Sequence, residues 1–134
     1  MNQQAKGSFS VSLTPLTFEG ADADSKLARM AINKSISGDL VATTQGQMLS
    51  AMGQVAGSAG YVAIERVSGK LHGRKGSFVL QHRGVMDRGQ PALSITVVPD
   101  SGTDELVGLS GEFSISVVGG EHAYSFSYQL AGAT

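Results

Sequence analysis

Gly60-Tyr61-Val62-Ala63-Ile64-Glu65-Arg66-Val67-Ser68-Gly69-Lys70-Leu71-His72-Gly73-Arg74-Lys75-Gly76-Ser77-Phe78-Val79-Leu80-Gln81-His82-Arg83-Gly84 is the stretch that decides the fold. It reads as two β-strands folded back at Gly73-Arg74-Lys75-Gly76, with Arg74-Lys75 at the tip. A turn there pairs His72 with Ser77, Leu71 with Phe78, Val67 with His82 and Glu65 with Gly84. Side chains alternate along a strand, so this register sorts the hairpin into two faces. One face carries Tyr61, Ala63, Val67, Leu71, Phe78, Leu80 and Met86. The other carries Arg66, Ser68, Lys70, His72, Ser77, Gln81 and Arg83, with Val62, Ile64, Val79 and Val85 among them. Glu65 and His82 break the pattern, because both fall on the apolar face.

Working outward, the chain before the hairpin is also extended. From Lys6 to Thr14, Phe9, Val11 and Leu13 alternate with Ser8, Ser10 and Ser12, which predicts a half-buried strand ended by Pro15. Leu16 to Ser25 carries Glu19, Asp22 and Asp24 around Gly20 and reads as a solvated acidic loop; it lacks the ligand spacing and terminal Glu of a calcium loop. Over Lys26–Ile36, the alternation of Met30, Ile32 and Ile36 with Arg29, Asn33 and Ser35 favours a strand over a helix. Lys34 then falls on the apolar side as a third anomaly. Leu40–Leu49 follows as a Thr/Gln-rich strand, and Ala51–Gly60 as a small-residue loop.

Beyond the hairpin, Asp87–Pro91 is a turn and Ala92–Val98 a strand with Leu93, Ile95 and Val97 on one side. Pro99–Glu105 is a polar turn. In the final hairpin, Leu109, Phe113, Ile115 and Val117 oppose serines, Gly119-Gly120 turns the chain, and Tyr124, Phe126, Tyr128 and Leu130 return. The count is about eight strands with no long helix. An open sheet of that size leaves two edges, and closing it removes them. The expected fold is therefore all-β, a single antiparallel up-and-down β-barrel with Phe9, Val11, Leu13, Phe113, Ile115, Phe126 and Leu130 inside. A barrel of about eight strands has room for a side-chain core or for one small ligand.

Composition agrees with one domain over residues 1–134, with a short flexible segment at 1–5. Charged residues make up 16%, against about 25% in ordinary domains. That deficit, with uncovered Val62, Ile64, Val79 and Val85, predicts a homo-oligomer. A net charge of −1 gives no strongly charged partner, and zero cysteines exclude disulfides and thiolate chemistry. No leader-like or membrane-spanning run is visible, so the expected compartment is the cytoplasm and no membrane partner is expected. Arg66, Lys70, Arg74, Lys75, Arg83 and Arg88 form a basic stripe, but no outer aromatics accompany it and no nucleic-acid partner is expected. His72 and His122 lack metal-ligand spacing, and no glycine-rich phosphate loop or nucleophile elbow occurs. The sequence calls for no metal and no cofactor.

The segments Lys34-Ser35-Ile36-Ser37-Gly38-Asp39-Leu40, Gly57-Ser58-Ala59-Gly60-Tyr61-Val62-Ala63-Ile64-Glu65-Arg66 and Gly76-Ser77-Phe78-Val79-Leu80-Gln81-His82 resemble a bacterial family catalogued as a domain of unknown function. So do Leu93-Ser94-Ile95-Thr96-Val97-Val98-Pro99-Asp100-Ser101-Gly102-Thr103 and Leu106-Val107-Gly108-Leu109-Ser110-Gly111. The resemblance runs from about Gly7 to Leu130. Members of that family are similar to the allene oxide cyclase barrel, the fold also of plant dirigent proteins. The resemblance implies a barrel whose relatives bind small lipophilic substrates and steer cyclisation or coupling mostly by shape. It carries over no catalytic residue.

Two functional readings follow. In the first, the barrel binds a small, largely apolar molecule in its interior, with isomerase- or cyclase-type chemistry an open addition. The candidate ligand-binding residues are Lys34, Tyr61, Glu65, Phe78, His82, Tyr124 and Tyr128. Glu65 and His82 are diagonal neighbours across the hairpin, and a carboxylate orienting an imidazole is how many general bases are built. The same pair also reads as a buried ion pair that only fixes register, and the aromatics as plain core. In the second reading, the protein is a non-enzymatic structural or interaction protein with a solid barrel and its function on the outer surface.

Overall fold

Eight strands follow one another in the computed structural model, which describes residues 2–130: β1 (Gln3–Leu16), β2 (Leu27–Gly38), β3 (Leu40–Met52), β4 (Ala59–Leu71), β5 (Arg74–Asp87), β6 (Gln90–Val97), β7 (Leu109–Val118) and β8 (Glu121–Leu130). Residue 1 and residues 131–134 of the expected domain lie outside the described residues. Each strand pairs antiparallel with its sequence neighbour, and β8 returns to β1 through Gln3↔Tyr128 to Phe9↔His122. The barrel is closed. No helix among the described residues is long and apolar enough to cross a membrane.

The central hairpin forms in a different register from the expected one. Its turn is the two-residue loop His72-Gly73, with φ of 47° and 81°, and Leu71 pairs with Arg74. Two consecutive positive φ values make a type I′ turn, whose twist matches that of the strands; glycine accepts this conformation freely and histidine is among the residues that tolerate it. Arg74-Lys75 therefore lies in β5 and not at the tip. Val67 pairs with Phe78 and Glu65 with Leu80, each partner four residues earlier on β5 than expected. An even displacement keeps every strand side chain on its face, so the two-face assignment survives the register error except at His72, which lies in the turn, while Ser77 on the outer face is buried beneath Thr103.

Further boundaries differ, among them Gln90-Pro91, expected in a turn but paired with Asp87 and Met86 at the start of β6. β1 runs through Pro15, which pairs with Met30, to Leu16. Proline is tolerated because β1 past Phe9 has no partner on the β8 side and is an edge there. At the other end, Gln3–Ala5 is strand and not a flexible segment: Ala5 pairs with Phe126 and is fully buried.

The barrel is filled at one end and open at the other. The filled end lies beneath the His72-Gly73 turn and the connection from β6 to β7. There Ala5, Leu40, Val67, Leu71, Phe78, Leu106, Leu109, Phe126 and Tyr128 are each no more than 2% exposed. Phe78, Phe126 and Phe113 stack in series, with centroids 5.8 and 4.2 Å apart. The β6–β7 connection folds over β5, which accounts for the half-burial of Val79. Val79 N–H donates to Ser101 Oγ at 3.0 Å, and Val98 N–H to Val79 O at 2.8 Å. At the opposite end the wall opens. β6 and β7 pair only at Ile95↔Phe113 and Thr96↔Glu112, and Ser10–Leu16 of β1 rises past the last residue of β8 that it pairs with. Leu13, expected inside, is 48% exposed at this mouth.

Candidate functional site

Lys34 of β2, Glu65 of β4 and His82 of β5 converge at mid-barrel, just above the filled end. Lys34 Nζ lies 3.2 Å from Glu65 Oε1, and His82 Nε2 lies 2.8 Å from the same oxygen. The side chains of Lys34, Glu65 and His82 are 11%, 0% and 5% exposed. In the observed register His82 pairs with Ala63 and Glu65 with Leu80, so Glu65 and His82 are diagonal neighbours within reach of each other. Lys34 enters from across β3, where the β2–β3 ladder is interrupted between Ile32↔Gly46 and Ser35↔Thr43. Side chains complete the bonding there: Lys34 N–H donates to Thr44 Oγ1 at 3.0 Å, and Asn33 Nδ2 to Thr44 O at 3.1 Å. The ammonium also stands 4.9 Å from the Phe9 ring centre, on the face a cation prefers.

The electrostatics follow from burial and pairing. Burial alone pushes the Glu65 carboxyl upward, but the hydrogen bond from His82 and the charge of Lys34 outweigh it and hold the pKa at about 2. Glu65 is therefore a fixed anion at neutral pH and a poor proton donor. Its role toward His82 is to accept the Nε2–H, which leaves Nδ1 as the basic nitrogen of the ring. A carboxylate-held imidazole of this kind can take a proton from a bound molecule. Among the described residues no three His, Cys, Asp or Glu side chains gather as a metal site.

The other candidates separate into two groups. Phe78 and Tyr128 belong to the solid end, and the Tyr128 hydroxyl meets His72 Nδ1 and Gln3 Oε1. Tyr124 is 4% exposed; its hydroxyl accepts from Leu40 N–H at 3.0 Å and donates to Ser37 O at 2.9 Å, clamping the bend between β2 and β3. Burial raises the pKa of both tyrosines. Tyr61 is placed differently. It pairs with Gly84 at the mouth and its ring rests on that residue, where an added Cβ would stand 2.1 Å from Tyr61 Cε1. Burial, and then the charge of Glu65, raise the pKa of its hydroxyl.

Two spaces lie on the inner side. Around Tyr61 and Gly84 is an apolar recess of about 330 Å³, lined also by Met48, Ser50, Met86, Pro91 and Leu93. Deeper, at the ionic cluster, the barrel leaves about 10 Å³ for the centre of a water-sized group, among Phe9, Lys34, Glu65, Leu80, His82 and Ile95. Sequence reasoning missed most of the recess. Its signal was present in part: Met48 and Met86, which line it, share the inward alternation of their strands and sit at the mouth ends. Alternation assigns a side but not a depth, so these residues read as ordinary core.

A closed up-and-down barrel with a buried Lys–Glu–His cluster beneath an apolar mouth defines the class of protein. The chain belongs to the DUF3224 family, "Protein of unknown function", whose sequence profile matches residues 5–128. It is similar to a DUF3224 protein of unknown function from Shewanella oneidensis MR-1, solved by crystallography at 1.84 Å, with 50% identity and a TM-score of 0.94 over 99% of this chain and 100% of that one. Comparison with curated proteins gives no match. The family description assigns no activity.

Proposed function

We propose that the protein binds a small, largely apolar molecule at the mouth of the barrel, on the inner faces of β3–β6 and above the Lys34–Glu65–His82 cluster. The observation that carries this reading is the recess of about 330 Å³ at Tyr61, a size within the range of small-molecule sites. Its walls are apolar yet open: Leu93 is 48% and Met86 40% exposed. Methionine side chains reshape easily around apolar ligands, and Met48 and Met86 line this recess. The resemblance to allene oxide cyclase barrels points the same way. Isomerase- or cyclase-type chemistry would use His82 as the base, oriented by Glu65. Titration with Nile red, a neutral lipophilic dye, tests the reading. Saturable binding at one site, weakened about tenfold or more by Leu93→Asp, is expected from burying a charge in an apolar wall. No binding, or binding indifferent to Leu93→Asp, contradicts it.

The second reading keeps a specific observation in its favour. One half of the barrel is solid, and on the outer face of β3 and β4 Leu49, Val62 and Ile64 are 43%, 52% and 54% exposed. A contiguous apolar patch of that kind marks interaction surfaces. A homo-oligomer joined through this face is compatible with either reading.

A further inference from the structure

The two oxygens of Glu65 are treated unequally. Oε1 receives both Lys34 and His82, whereas Oε2 is buried and accepts no hydrogen bond of ordinary geometry among the described residues; the Thr44 hydroxyl is near enough to help lower the Glu65 pKa but makes no such bond. A buried charged acceptor without a donor is costly, so a native structure that keeps one usually satisfies it with a bound group. The residual space beside Glu65, about 10 Å³ for the centre of a water-sized group, is of the size that takes a single oxygen atom. Its remaining walls are mainly apolar: Phe9, Leu80, Ile95 and Phe113.

We infer that this space is the head-group site of the mouth ligand and takes one hydroxyl, so that the ligand is a lipophilic alcohol or phenol donating its O–H to Glu65 Oε2. The inference rests on the proposed binding at the mouth and adds the chemistry of the ligand's polar end. Tyr61 at the mouth and Glu65 lie four positions apart on β4, a span of about 13 Å, the reach an alkyl chain would need. The two spaces share no lining residue, and the Tyr61 ring, packed over Gly84, the inward position next after His82 on β5, stands between them, so the proposed chain reaches the cluster only where that ring turns aside. A carboxylate head is disfavoured twice, since its second oxygen has no room and its charge faces an acceptor already lacking a donor. An ammonium head would stand beside Lys34, which already neutralises the same carboxylate. An ether offers no donor and leaves Oε2 unpaired.

Water supplies the same O–H chemistry, so the test separates the two sources. Isothermal titration of the wild-type protein at pH 7 with 1-octanol, octyl methyl ether, octanoate and octylamine compares four heads on one chain. The expected result is 1-octanol binding about tenfold or more tighter than each of the others, because a site built to bond a hydroxyl rejects analogues lacking it. Nuclear Overhauser contacts should then run from the carbinol protons to Phe9 and Ile95, and from the chain end to Met86. Equal binding of 1-octanol and its methyl ether would mean that water satisfies Glu65, and would overturn the inference. Tighter binding of octanoate or octylamine would overturn it as well, in favour of charge recognition. Failure of all four to bind would instead remove the mouth reading on which it rests.

Discussion

Glu65→Gln at neutral pH should be among the most damaging near-isosteric substitutions in this protein. The carboxylate is 0% exposed and one of its oxygens holds both Lys34 and His82. Glutamine removes the charge, leaving the Lys34 ammonium 11% exposed without a counter-ion. Breaking a buried pair from one side costs about 3–5 kcal/mol. An independent route gives a similar figure: lowering the Glu65 pKa from 4.5 to about 2 corresponds to about 3 kcal/mol of folding stability. Because the folded-state pKa is the depressed one, that stability is complete above pH 4.5 and is lost as pH falls from there toward about 2. Urea unfolding of both proteins at pH 7, 5 and 3 is the assay. The gap should be widest at pH 7, nearly as wide at pH 5 and clearly narrower at pH 3, with a fall in Tm of about 10–20 °C at neutral pH. An unchanged or higher Tm for Glu65→Gln at pH 7, or a gap that does not depend on pH, refutes the reasoning. The cluster would then be held at a cost to stability, as functional groups often are.

Three other outcomes follow from the packing. Phe126→Ala, at a 0% exposed position stacked on Phe78 and Phe113, should cost about 3–5 kcal/mol in urea unfolding, and an unchanged midpoint would contradict the solid packing of that end. Gly89→Ala places a side chain at φ 89° in the Arg88-Gly89 turn and should cost about 1–2 kcal/mol with the native spectrum intact. If the outer face of β3 and β4 joins subunits, Ile64→Asp should convert an oligomer to a monomer by sedimentation at micromolar concentration, while a wild-type monomer would dispose of that interface.

Alternation made most of the architecture legible. Strand sides repeat every second residue, so the inward set of the central and last hairpins, and the three polar intruders Lys34, Glu65 and His82, were readable without coordinates. The meeting of Glu65 and His82 survived a misplaced turn only because the register moved by an even number of residues. What alternation does not encode is position along the barrel axis. Phe78 and Leu93 have the same inward pattern, yet one is 1% and the other 48% exposed. That difference arises from the β6–β7 connection closing one end while β6 and β7 part at the other. The tyrosines were obscure for a related reason. Tyr124 is tied to backbone groups of Ser37 and Leu40, more than eighty residues away in sequence, and no local pattern signals such a clamp.

Methyl-resolved NMR of the protein labelled at methionine, isoleucine and valine, titrated with 1-octanol, tests the mouth binding most directly. The account predicts saturable shifts at Met48 and Met86, on the inner wall of the recess, with Val62 and Ile64 on the outer face unmoved. Shifts confined to Val62 and Ile64, with the methionine methyls unchanged, would contradict it and place the apolar binding surface on the outside of the barrel.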